Sequence, residues 1–293
     1  MKYRIIFTLS IGVLTGILAP ANAQPTENHP WNRGGMTAIN LSQISLSNWA
    51  AGGENSLGFN LQFNYFANYK KEKHLWQNRL ELAYGLNKTK SEGRKKTNDK
   101  IYLSSTYGYQ LIENLYLSGL LTFQSQFAKG YDYNMTPDVF LSRFMAPGYL
   151  TVGPGLTWTP KSWLTVTLSP ATWRGTFVTN KILSEQGAFG VTPGKHLLSE
   201  FGANLNAEAS YEFLKNMKVF SRLNLFSNYL KKPQNIVVNW DVLVNMTINQ
   251  WFSAYVSTNL IYDDKIKIAQ KDGSKGARLQ FKEALGIGFQ VTF

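Results

Sequence analysis

The chain has 293 residues, no cysteine and a formal net charge of +12. Without cysteine there is no disulfide, no thiolate metal site and no Cys nucleophile. Aromatic residues make up 14% of the chain while mean hydropathy is only −0.22, and past the first residues no run reaches the roughly 18 apolar residues of a membrane-crossing helix, which excludes a helical membrane protein.

Residues 1–23 read as a signal peptide. Lys2 and Arg4 give a positive start, residues 5–18 are apolar, and Pro20-Ala21-Asn22-Ala23 ends in a small-x-small cleavage pattern. A transmembrane anchor is the competing reading, but the apolar run is short for a span. Losing Lys2 and Arg4 lowers the formal charge from +12 to +10. Export argues against a nucleic-acid partner for the basic balance and favours anionic lipid or glycan. Export without cysteine points to the periplasm or the outer membrane. Residues 24–35 are then expected to form a periplasmic tail and 36–293 the folded domain.

In chain order, the first strand is expected at 36–46. Segment 56–69 is the clearest. Leu57, Phe59, Leu61, Phe63, Tyr65, Ala67 and Tyr69 share one face, and Ser56, Gly58, Asn60, Gln62, Asn64 and Asn68 the other, with Phe66 the exception. A period of two held this long cannot be a helix face. The same alternation marks 75–87, 100–112 and 115–127. Segments 149–159 and 163–173 are rich in Thr and Gly and less clean. The pattern returns at 200–213, 217–229, 236–248, 251–262 and 279–293. The fold class is therefore all-β, a transmembrane antiparallel up-and-down β-barrel of about twelve strands, each near the roughly ten residues that cross an outer membrane at a tilt.

The connections alternate in length. Expected inner turns at 70–73, 113–114, 160–162, 214–216 and 249–250 are short. Expected outer loops at 48–55, 88–99, 128–147, 175–197, 230–235 and 263–277 are mostly long. Barrels with short periplasmic turns and long outer loops show this alternation. Trp76, Trp158, Trp163 and Trp251 all fall beside inner turns, as a lipid–water aromatic girdle requires. The competing reading is four core anchors of a soluble protein. Phe293 ends the last strand with an aromatic, the pattern read by the barrel-assembly machinery, an expected partner along with outer-membrane lipid and lipopolysaccharide.

Little of the sequence points to catalysis. His196, Ser199 and Glu200 cluster near an outer loop, with Asp263 and Asp264 in another. Barrel hydrolases use such groups to activate a hydroxyl or water, but no spacing here matches a strict motif. No EF-hand, P-loop or zinc pattern occurs, so neither cofactor nor metal is expected. The polar strand faces carry Arg79, Glu81, Glu200, Glu208, Glu212, Arg222, Asp241 and Lys282. These are the lumen-lining candidates. They either line an aqueous path and select solutes by charge, or pair with one another and fill a narrow interior. The outer loops are basic, with Lys88, Lys90, Arg94, Lys95 and Lys96 in one, Lys231 and Lys232 in another, and Lys265, Lys267, Lys271 and Lys275 in the last. They are either solvated tips or contacts for lipopolysaccharide phosphates.

The stretch Asn48-Trp49-Ala50-Ala51-Gly52-Gly53-Glu54-Asn55-Ser56 stands apart. With Trp31, Gly34-Gly35 and Leu41-Ser42-Gln43 before it, it resembles a family of exported Bacteroidetes proteins filed under domain of unknown function 3078. The motif covers the first hairpin. The resemblance implies an outer-membrane barrel and supplies no catalytic residues. The Gly pair suits a tight turn, and Trp49 at its tip is expected to fold into the lumen or dock on a partner. The functional expectation is a small passive channel. The alternatives are a non-catalytic accessory subunit of a surface complex and a barrel hydrolase.

Overall fold

A computed structural model of the chain describes residues 29–46, 54–133, 139–269 and 275–293. The expected signal peptide (1–23) and the motif residues Asn48, Trp49, Gly52 and Gly53 lie outside the described residues. In chain order the elements are β1 (Trp31–Ile44), β2 (Ser56–Lys71), β3 (His74–Thr89), β4 (Gly93–Ile112), β5 (Leu115–Ser125), the short pair β6 (Gly130–Asp132) and β7 (Val139–Ser142), β8 (Gly148–Lys161), β9 (Leu164–Phe177), helix α1 (Lys181–Glu185), β10 (Leu197–Leu214), β11 (Met217–Asn228), β12 (Val237–Thr247), β13 (Phe252–Tyr262), the short pair β14 (Lys267–Ala269) and β15 (Lys275–Ala277), and β16 (Gln280–Thr292).

Twelve of these strands close into one antiparallel barrel. Each long strand pairs with its sequence neighbours, and β16 returns to β1. The two short pairs are separate ribbons on the loops. No described helix is long and apolar enough to cross a membrane; the strands do the crossing.

Burial is inverted relative to a soluble protein, where large apolar side chains go inside. Asn204, Ser169 and Thr157 are buried to 1% exposure or less. Leu285, Leu41 and Leu117 stand outside at 73%, 65% and 55%. Strand alternation sends odd and even residues to opposite faces, so one face meets hydrocarbon and the other a polar lumen. The fold is a transmembrane β-barrel on this ground. Three outward tryptophans satisfy their ring N–H within the sheet. Trp76 Nε1 donates to Ser105 Oγ at 2.9 Å, Trp173 Nε1 to Ser199 Oγ at 2.7 Å and Trp240 Nε1 to Ser221 Oγ at 3.0 Å, each across to the adjacent strand. Lipid offers that donor no partner.

One end carries only tight turns. Glu72, Asn114 and Asn216 adopt positive φ there, at 52°, 61° and 66°, a region asparagine tolerates well. Trp76, Trp158, Trp163 and Trp251 are exposed near this end, and Trp163 packs on Tyr211 at 5.5 Å. Two stretches of the expected strand map differ from the structure. The first strand begins at Trp31, not at 36, because Trp31 pairs with Tyr69 and its ring packs on those of Tyr69 and Trp76 at 5.2 and 5.8 Å. Residues 31–35 thus belong to the barrel and not to a tail. The expected loop 88–99 is mostly strand, since β3 and β4 stay paired up to Thr89↔Gly93. Outside the membrane both faces of a hairpin meet water, and Lys88, Arg94 and Lys95 keep the ladder without apolar alternation.

Gly202 marks a close approach between strands. A Cβ there would collide with the carbonyl oxygen of Ser227 on β11, beside the register shift between β10 and β9. Gly202→Ala is expected to lower stability by about 1–3 kcal/mol, the usual cost of forcing extra atoms into a packed site, read as a lower urea midpoint in lipid vesicles.

Candidate functional site

The lumen is built by the inner residues of the twelve strands. Arg222 on β11 donates from Nη1 to Glu81 Oε1 at 2.6 Å and from Nη2 to Glu81 Oε2 at 3.1 Å. Its Nη2 also donates to Asp241 Oδ2 on β12. Lys100 on β4 lies 2.9 Å from Glu81 Oε2 and 3.1 Å from Asp241 Oδ2. The Arg222 guanidinium sits 3.7 Å from the ring centroid of Tyr102, an aromatic–cation contact that strengthens away from water. Arg79 Nε stands 3.5 Å from Glu208 Oε2 and covers the Phe220 ring at 4.4 Å.

These bonds cross the barrel. In the ring of twelve, β3 and β11 are six places apart, and so are β4 and β12. Strands about 4.8 Å apart and tilted about 40° would close a circle roughly 24 Å across. An arginine and a glutamate joined end to end bridge only about 15 Å, counted from bonds near 1.5 Å. The opposite walls are therefore drawn together, and the cross-section is flattened along the β3–β11 line.

The two sides of this brace differ. Toward β5, β8, β9 and β10 small polar side chains fill the interior. Thr157 Oγ1 donates to Ser118 Oγ at 2.8 Å and meets Thr167 Oγ1 at 2.9 Å, with Tyr116 and Leu120 packed alongside at 2% and 1% exposure. Toward β1–β4, β12, β13 and β16 a cavity of about 550 Å³ remains, lined among others by Asn60, Gln62, Asn259 and Lys282. It extends to Gln290 and Thr292 at the short-turn end. A second cavity of about 250 Å³, under Tyr131 and Tyr133, opens at the long-loop end. Both cavities are lined by Asn98, Asp99 and Lys282. There Lys282 Nζ donates to Asn98 Oδ1 at 2.7 Å, and Lys96 Nζ to Asp99 Oδ2 at 2.7 Å.

Of the residues picked from sequence, Arg79, Glu81, Glu208, Arg222 and Asp241 form the brace, and Lys282 lies where the cavities meet. Glu200 belongs to a separate cluster at the long-loop end. Lys265 Nζ is 2.8 Å from its Oε1, and Arg174 stands 3.5 Å from Asp263 Oδ2 and 3.9 Å from Glu200 Oε2. Glu212 is not brought into the lumen network. It is exposed beside a tight turn and accepts from the Asn216 amide at 3.3 Å. Lys100, Tyr102 and Arg174 were missed; the strand alternation already placed Lys100 and Tyr102 on the inner face, whereas Arg174 lies just past the expected strand 163–173. Ser199 points outward to Trp173 while Glu200 points inward, and His196 Nδ1 lies 2.8 Å from the Val178 carbonyl oxygen. The three do not converge.

The motif residues that are described tie two hairpins together. Asn55 Oδ1 accepts from the Leu46 amide at 2.7 Å. Glu54 accepts from the Ser91 hydroxyl at 2.6 Å and the Ser91 amide at 2.9 Å, across to the β3–β4 tip.

Residues 41–131 match the family described as protein of unknown function, DUF3078. The DUF3078 segment runs from the upper part of β1 into β6 and supplies Glu81, Lys100 and Tyr102 to the brace. No curated protein matches the sequence. Among solved structures, the COG4313 outer membrane channel from Pseudomonas putida F1 aligns at 11% identity over 94% of this chain and 100% of its own, with a TM-score of 0.41. A NanC porin aligns at 8% identity over 87% and 98%, TM-score 0.39. The translocator domain of the autotransporter NalP from Neisseria meningitidis aligns at 10% identity over 90% of each chain, TM-score 0.36. At these scores the likenesses carry no functional argument.

Arg222→Ala leaves two carboxylates without their buried partner. It is expected to cost about 3–5 kcal/mol, whereas Arg222→Met combined with Glu81→Met and Asp241→Leu should be much better tolerated; urea unfolding in lipid compares them. The Ser91 hydroxyl, and then its amide, hold the Glu54 carboxyl below its ordinary value of 4.5. That contact therefore contributes fully above pH 4.5 and is lost as pH falls through the lower folded value. Amide exchange at Ser91, corrected for its intrinsic pH dependence, is expected to quicken over that window, and Glu54→Gln to abolish the effect.

Proposed function

We propose that the chain is an outer-membrane barrel that passes small polar solutes down one side of its lumen without catalysis. The observation that carries this reading is the meeting of the two cavities at Asn98, Asp99 and Lys282. Together they lead from the long-loop end to the short-turn end along a wall of carboxamides. Such groups donate and accept, so they can exchange hydrogen bonds with a passing solute and its water.

In this reading the short-turn end and both termini face the periplasm. The exposed tryptophans near the tight turns and the alternation of turn and loop length support it. Phe293, whose ring lies 6.3 Å from Phe63 and whose backbone pairs with Gly35, would present the C-terminal strand to the assembly machinery. The basic β3–β4 hairpin would face lipopolysaccharide phosphates. The brace favours a second reading, an accessory barrel with no through-flow, because ion pairs close the middle of the lumen.

Planar-bilayer recording separates the two. A channel gives small, stable conductance steps; an accessory barrel gives none. If the path runs past Lys282, Lys282→Glu shifts the reversal potential in a salt gradient toward cation preference while the steps persist. An unchanged reversal potential would remove Lys282 from the path.

A further inference from the structure

The barrel is not zipped to the same height all the way round. Between β1 and β16 the ladder runs only from Met36↔Thr292 to Asn40↔Gly288, with one further exchange between Gly35 and Phe293 at 2.7 and 3.1 Å. Both strands continue beyond it. β1 stays paired with β2 up to Ile44↔Ser56, and β16 stays paired with β13 up to Gln280. In the same register Leu41 would face Ile287, and Gln43 would face Leu285. Among the described residues those rungs are unmade. Side-chain exposure agrees. On the lumen face, where the made rungs bury Ala38, Asn40 and Gln290, Ser42, Ile44 and Lys282 are exposed, so the inner face is open there.

Two further features lie at this gap. The larger cavity sits behind it, bounded by β1, β2, β13 and β16. On the outer face Gln43 and Glu283 place an amide and a carboxylate in a mostly apolar sheet surface, with Thr258 opposite Glu283 and Leu285 and Ile287 beside them. Unmade backbone rungs and an outward carboxylate are costly against hydrocarbon; water or polar groups admitted at the gap would satisfy both.

We propose that the upper β1–β16 seam is a lateral portal through which single-chain amphipathic molecules move between the outer leaflet and the lumen. The proposal rests on the barrel having a permeable lumen and extends it to a second route. Leu41, Leu285 and Ile287 offer the alkyl chain an apolar flank outside, while Asn60, Asn259 and the Lys282 ammonium receive a hydrogen-bond-accepting head inside.

The absence of native cysteine allows a clean test. Ile39→Cys/Phe289→Cys occupies a made outward rung, and Gln43→Cys/Leu285→Cys the matching unmade one. A disulfide needs Cα atoms within about 7 Å, so mild oxidation should join the first pair quickly and the second hardly at all. Equal rates would show a zipped seam and overturn the portal. Bridging the second pair with a bis-maleimide should then stop transfer of a dansyl-labelled lysophospholipid from the outer leaflet to albumin trapped inside vesicles, with ion conductance unchanged. Conductance without lysophospholipid transfer in the unbridged protein would overturn the portal and leave the channel standing. Transfer that stops on bridging in a protein without conductance would overturn the channel and support the portal. Transfer that survives bridging would overturn the portal.

Discussion

Hydrocarbon offers no hydrogen bond to a peptide group, and the rest of this structure follows from that. A sheet placed in lipid must pair every edge, so the twelve long strands return on themselves from β16 to β1. Closure then dictates the rest of the pattern. The outer face must be apolar, and the inner face, screened from lipid, is where Asn, Thr, Arg and Glu can find polar partners. Three of the tryptophans obey this rule too, the outward ring N–H of Trp76, Trp173 and Trp240 each finding a serine in the neighbouring strand.

Inside the barrel the dominant effect changes from solvation to charge pairing. Three cations, Arg79, Lys100 and Arg222, meet three anions, Glu81, Glu208 and Asp241, across the lumen. A buried charge is tolerated only when paired and hydrogen-bonded, and the partners here come from opposite walls. The result is a barrel squeezed at the waist, solid on one side and open on the other. Because the brace is neutral in total, the field along the open side is set by groups outside it, including Lys218 and Lys282, the latter held by an amide oxygen and not by a carboxylate.

The strands were legible in the sequence because period-two alternation is a local property that lipid enforces along each crossing. Where that enforcement ends, legibility ended too. The β3–β4 hairpin rises into water, so Lys88, Arg94 and Lys95 read as a loop. Trp31 read as tail because the aromatic contacts that hold it come from Tyr69 and Trp76 on two other strands. The lumen charges were recognisable one by one, since each sits at an inner position. Their pairing was not, because Glu81 and Arg222 are 141 residues apart and meet only through the shear and flattening of the closed sheet. The incomplete seam was equally hidden. Residues 41–44 and 280–287 carry the composition of ordinary strands, and only the three-dimensional register separates a made rung from an unmade one.

The serine partners of Trp173 and Trp240 have an effect on how the barrel rides in its bilayer. A tryptophan whose only donor is occupied by its own sheet has lost the reason to seek headgroups. These two rings can stand at any depth as plain aromatic bulk. Vertical anchoring then falls to Trp158, Trp163 and Trp251 beside the tight turns, so the protein is moored from one rim and its opposite rim is free to follow a membrane that thins or swells.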